Sequence, residues 1–181
     1  LGYFPPTKRS PAIDESIWSN WRLRNILEAG GVKVIEHPWK GNLVGKDFRD
    51  AQLSLDRTLN VALGMSQGEK IGIIPYSGGN RVAERLLEPT LSQNIKDAIR
   101  EQRIHIISIG SPSRVDFSPV DSNWKNVVSL ADWISQISAK SIPDKYNVTF
   151  PKLSHYTYDE PRAISYIGYN MFGWKYTPSS G

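Results

Sequence analysis

The chain has 181 residues, 39% hydrophobic and 22% charged, the balance of one globular domain with a sizeable core. That balance excludes disorder and collagen-like sequence, and no run reaches the roughly 20 apolar residues of a membrane helix. Cysteine is absent, which excludes disulfides, thiolate nucleophiles and Cys-ligated metals but leaves the redox compartment open. The net charge of +4 and pI of about 9.3 suit an anionic surface or substrate, yet are weaker than a nucleic-acid binder carries.

Residues 1–13 read as a short strand, Leu1–Phe4, followed by a proline-rich loop. The opening LGYFPPTKRSP holds no apolar run of signal-peptide length. Asp14 is a plausible N-cap for a helix to about Ala29, stopped by Gly30 and Gly31. The β-branched run Val32–Ile35 predicts a strand, broken at His37-Pro38-Trp39. From Lys46 to Met65, Phe48, Ala51, Leu55, Leu59 and Ala62 recur at steps of three and four, which predicts an amphipathic helix. Lys70–Ile74 predicts a strand buried on both faces.

A Gly-rich turn follows, then a helix over Gly79–Leu87 closed by Pro89. Ser92 is placed to cap another helix. Ile104–Ile109 and Val127–Leu130 predict further strands, Asp132–Ser138 a short helix and Tyr146–Phe150 a last strand. Residues 160–172 read as a helix and 173–181 as a tail. Strands alternate with helices, the pattern of a single α/β domain over residues 1–181 with a mostly parallel sheet covered by helices on both faces. In such sheets the chemistry sits beyond the carboxyl ends of the strands.

After Ile74 comes Pro75-Tyr76-Ser77-Gly78-Gly79-Asn80, a strand–turn–helix with serine at its apex. A serine there sits in a strained backbone conformation, and small neighbours relieve the crowding. Compared with G-x-S-x-G, Gly79 keeps its place and Pro75 replaces the first glycine. Serine needs a base, and the base needs an acid to orient it. Of the three histidines, His105 lies inside a strand, and His37 precedes Pro38 and reads as structural or site-lining. His155, in a loop after the last strand, is the candidate base. Asp132 ends a strand and is the candidate acid, while also placed to N-cap the next helix. Asp116, Asp121 and Asp144 are alternatives, Asp116 foremost because it follows the strand Ile104–Ile109. The three histidines are scattered without ligand spacing, so no metal or other cofactor is expected.

At these residues the chain resembles the α/β-hydrolase family of serine esterases and lipases. The resemblance rests on Pro75–Gly79 as nucleophile elbow, Ser129–Asp132 as acid turn and Ser154–Tyr156 as base loop, and it spans roughly residues 1–172. It implies a compact three-layer sandwich, a nucleophile Ser77, a general base His155 and an orienting Asp132. It implies oxyanion donors at Gly78 and, if Leu1–Phe4 is the family's third strand, at Thr7. Tyr76, His37 and Trp39 are expected to line the substrate site. The implied substrate is a small-molecule ester or a lipid.

The family's first two strands have no counterpart in this sequence, which reads as a compact cutinase-type member or as a piece of a longer polypeptide. Some bacterial toxin systems end long delivery proteins in compact hydrolase domains. On that reading the chain is a secreted or delivered effector, with an inhibitor or immunity protein as partner. The tail aromatics Tyr166, Tyr169, Phe172, Trp174 and Tyr176 suit either a packed terminal helix or a membrane-surface contact. A second reading stays open: a catalytically degenerate α/β module, or one whose Gly-rich turn holds an anion.

Overall fold

The structure, a computed structural model, describes residues 22–29, 33–37, 45–155 and Tyr158. The expected strand Leu1–Phe4, the start of the first helix, the helix over 160–172 and the tail lie outside the described residues. So do Thr7 and Trp39.

The elements in chain order are α1 (Arg22–Ala29), α2 (Gly45–Met65), β1 (Ile71–Ile73), α3 (Gly79–Ala83) continued by a 3₁₀ turn (Glu84–Leu87), α4 (Gln93–Arg100), β2 (Ile104–Ile109), β3 (Lys125–Ser129), α5 (Trp133–Ala139) and β4 (Asn147–Phe150). The four strands form one parallel sheet in the order β1-β2-β3-β4. The fold is mixed α/β, a four-stranded parallel sheet flanked by helices.

Each element follows from its sequence. Ala51, Leu55 and Leu59 form the buried stripe of α2, with Phe48 half-buried at its edge. In β2, alternation sends Ile104, Ile106 and Ser108 to one face and His105, Ile107 and Ile109 to the other. Ile104 and Ile106 pack with Ile95 and Ala98 of α4 and the stripe of α2. On the next strand Asn126, in register with Ser108, donates to Ser138 of α5 at 3.0 Å. Helices α4 and α5 therefore cover the same sheet face, as right-handed crossovers in sequential strand order require. The expectation of helices on the second face as well falls on segments outside the described residues. Each fully buried Ile or Leu contributes roughly 1.5–3 kcal/mol, whereas exposed ion pairs such as Arg24–Glu36 are screened by solvent, so the apolar cluster dominates.

Three expectations need correction. Residues 33–37 join no ladder among the described residues, and Ile35 is exposed. β-Branching favours an extended backbone, but a strand also needs a neighbouring ladder. Strand β1 is not buried on both faces: Gly72 is exposed and Ile71 half-buried, because β1 is the end strand of the described sheet. Ser92 stands at the start of α4 without a side-chain cap. Its hydroxyl instead accepts from Asn60 of α2 at 3.1 Å, and its N–H donates to Asp56 at 3.2 Å.

Candidate active site

Four adjacent parallel strands each deliver one residue to the same end of the sheet. Ser77 follows β1, Gly110 follows β2, Asp132 follows β3 and His155 lies beyond β4.

The serine sits at φ +51°, the left-handed region that non-glycine residues avoid. The surrounding bonds hold it there. Ser77 N–H donates to Ile109 C=O at 2.8 Å, and Ile109 N–H donates to Pro75 C=O at 2.9 Å. Fully buried Asn80 donates from its side-chain amide to Pro75 C=O at 3.1 Å and Ser77 C=O at 3.0 Å. These bonds explain why proline is tolerated at 75. The pairing with β2 uses the carbonyl of Pro75 and the N–H of Ser77; the nitrogen of Pro75 faces the same neighbour, so proline leaves one ladder position without a donor while the bonds on either side hold the turn.

Ser77 Oγ lies 2.7 Å from His155 Nε2, and His155 Nδ1 lies 2.9 Å from Asp132 Oδ2. Asp132 is nearly inaccessible to solvent, and Ser77 and His155 are buried as well. Burial pushes the Asp132 carboxyl up, but the hydrogen bonds from His155 and Tyr158 outweigh it. The carboxyl is left below the ordinary aspartate value. An ionised Asp132 can only accept, so Nδ1 of His155 carries the hydrogen. That arrangement leaves Nε2 as the nitrogen facing the Ser77 hydroxyl. This Ser77–His155–Asp132 network geometrically resembles a catalytic triad.

Asp132 also caps α5: its Oδ1 accepts from Ile134 N–H at 3.0 Å. Ser135 braces the same turn, donating to Asp132 C=O at 2.9 Å and accepting from Ser129 N–H at 3.1 Å. The loop carrying His155 is pinned by Tyr76, whose phenol donates to His155 C=O and whose ring stacks on the imidazole at 5.4 Å between centroids. Tyr76 is 1% exposed, so it buttresses the histidine where substrate lining was expected.

The other candidates are engaged elsewhere. The ring of His37 bonds Thr58 Oγ1 at 2.7 Å and Ala51 C=O at 2.9 Å on α2, and among the described residues nothing links it to Ser77. Its expected place beside the substrate becomes a structural one, and desolvation lowers its pKa. His105 Nδ1 bonds Asp121, which also accepts from Ile106 N–H at 2.8 Å. Asp116 closes a local turn on Ser118 N–H, and Asp144 lies 3.5 Å from the Asn147 side chain. No group of three or more His, Asp and Glu side chains suited to a metal ion occurs among the described residues.

Two residues of the site were missed by sequence reading. Tyr158 donates to Asp132 Oδ2 at 2.7 Å. Gly110, at φ +56°, packs directly beneath the network. The available signals were a tyrosine three positions after the histidine and a glycine ending β2, neither of which singles out a partner. Gly78 N–H, beside Ser77, donates no hydrogen bond among the described residues. No family model matches this sequence, and comparison with curated proteins and with solved structures finds no match.

Proposed function

We propose that the chain is a serine hydrolase cleaving an ester-type bond through an acyl-enzyme on Ser77. The observation that carries this reading is the continuous hydrogen-bonded chain from Ser77 Oγ through both nitrogens of His155 to Asp132. The strained elbow at Ser77, the ionised and buried Asp132, and the resemblance of the three motifs to α/β-hydrolases support it.

In the proposed reaction Ser77 Oγ attacks the carbonyl carbon while His155 Nε2 takes its proton. Negative charge develops on the carbonyl oxygen, and the N–H of Gly78, which makes no hydrogen bond among the described residues, is a donor for it. The C–O bond to the leaving alkoxide breaks as His155 returns the proton to it, leaving an ester on Ser77. Water, deprotonated by the same Nε2, attacks that ester, and Ser77 recovers the proton. Asp132 keeps the imidazole in one tautomer and stabilises the imidazolium.

Leu130 and Trp133, on either side of Asp132, are exposed at 66% and 75%, which supports a substrate with an apolar portion such as an acyl chain. A fluorophosphonate probe tests the class. The expected result is labelling of the native protein at Ser77 and none in Ser77→Ala; full labelling of Ser77→Ala would overturn the proposal. Hydrolysis of p-nitrophenyl esters of increasing chain length then reads the acyl preference.

A further inference from the structure

We infer that Tyr158 is a positioning residue that acts on His155 through Asp132, by sharing the carboxylate oxygen that accepts from the imidazole. The inference rests on the hydrolase reading for its catalytic meaning, while the geometry behind it is independent of that reading.

Asp132 Oδ2 accepts from two donors, the Tyr158 hydroxyl at 2.7 Å and His155 Nδ1 at 2.9 Å. Its Oδ1 is occupied by the backbone N–H of Ile134. The carboxylate is thus shared, and the phenol draws charge from the same oxygen that faces the imidazole. A charge-assisted bond to an ionised carboxylate is roughly twice as strong as a neutral one, so this donor is not a minor perturbation. Burial and the adjacent Asp132 push the Tyr158 phenol far up, so its hydrogen stays on oxygen throughout the range in which histidine titrates. Tyr158 is 1% exposed, and its ring edge meets Tyr76 with centroids 6.5 Å apart. Water cannot readily substitute for it there.

The consequence has a definite sign. Protonating His155 places a cation against Oδ2. The more of the charge on that oxygen the phenol already holds, the less the imidazolium gains. Tyr158 therefore lowers the pH at which His155 becomes protonated, relative to the same site without the hydroxyl. Among the described residues, the groups facing His155 are Ser77 and Tyr76 from the turn after β1, Asp132 from the turn after β3, and Tyr158 itself. Gly110 at the end of β2 brings no charge. Asp132 is the carboxylate that the phenol and the imidazole share.

The test is a titration of the His155 ring by NMR, its signals assigned by their loss in His155→Gln. Tyr158→Phe keeps the ring and removes the donor. It should raise the His155 midpoint by about half to one pH unit, the scale of one net hydrogen bond. Tyr158→3-fluorotyrosine carries a more acidic hydroxyl and a near-identical shape, and should move the midpoint the other way. An unchanged midpoint in both variants, or shifts of the same sign, would overturn the inference. If Tyr158→Phe fails to fold, the fluorinated protein alone decides, by a lowered midpoint or an unmoved one. Fluorophosphonate labelling of the unsubstituted protein is run alongside. Its absence would remove the hydrolase reading while the titration still decides the role of Tyr158.

Discussion

Gly110 leaves room for His155 by having no side chain. A Cβ at position 110 would stand 3.3 Å from His155 Cε1, 3.1 Å from Tyr158 Cε2 and 3.4 Å from Asp132 Oδ2. The end of β2 thus forms the floor on which the histidine, its acid and the buttressing phenol rest. Backbone φ at this residue is +56°, so an L side chain would be strained even in open space.

Gly110→Ala should therefore lose activity out of proportion to its size. The added methyl presses on all three neighbours, and shifts of a few tenths of an ångström open the Ser77–His155 contact. We expect fluorophosphonate labelling to slow about ten- to a hundredfold, with a stability loss of about 1–2 kcal/mol from the left-handed backbone. Labelling rate and a urea melt on the same protein check both. An unchanged rate would mean that the floor has slack.

The carboxyl group of Asp132 serves two ends at once, and two substitutions separate them. Asp132→Asn keeps an oxygen for the Ile134 cap but no longer favours the Nδ1–H tautomer of His155. Activity should fall about a thousandfold to ten-thousandfold, and the cap's contribution to stability should largely survive. Asp132→Ala loses the cap as well and should cost a further ~1 kcal/mol in a denaturant melt. Equal stability of the two variants would show that the cap contributes little.

Much of this arrangement was legible before any coordinates, for local reasons. Ser77, Asp132 and His155 each follow a β-branched run and a turn, and those signals lie within a few residues. Only three histidines competed for one role, and His105 excluded itself by its place in a strand. Gly110 and Tyr158 were not legible because their meaning is non-local. Nothing near Gly110 in sequence tells that an imidazole will lie over it, and Tyr158 stands among other aromatics. The burial of β1 was misread for a related reason: an apolar run reports what a strand can bury, and its place in the sheet decides how much it does bury. The hydroxyl of Tyr76 reaches the backbone of His155, a residue far along the chain, a contact that no local sequence signal carries.

Pro75 departs from the usual elbow glycine and leaves one ladder donor toward β2 unsupplied, while its carbonyl bonds keep the elbow in place. Only its carbonyl is used, by Ile109 N–H and the Asn80 side chain. Pro75→Gly should leave the labelling rate within about twofold, since the carbonyl bonds that hold the elbow remain. Stability should shift by less than about 1 kcal/mol, because the extra unfolded-state freedom of glycine, roughly 0.4–1 kcal/mol, is opposed by the N–H it restores toward β2. A large gain in activity on introducing glycine would show instead that proline strains the elbow.

Acid should weaken the fold through two buried carboxylates. Desolvation raises the Asp121 carboxyl, while the bonds from His105 and the Ile106 and Asn123 N–H groups lower it further, leaving it below the ordinary value of 3.8. Asp132 is depressed in the same sense. In the unfolded chain both titrate near the ordinary value, so over the window just below it the unfolded state binds more protons. Their contribution is therefore fully present above about pH 5 and is lost as pH falls through the folded values. Urea midpoints should hold between pH 7 and 5 as far as these two groups are concerned, and drop below pH 4. Asp121→Asn should flatten that drop and, lying away from Ser77, leave labelling at neutral pH unchanged. An acid limb identical in Asp121→Asn would assign the loss to other carboxylates.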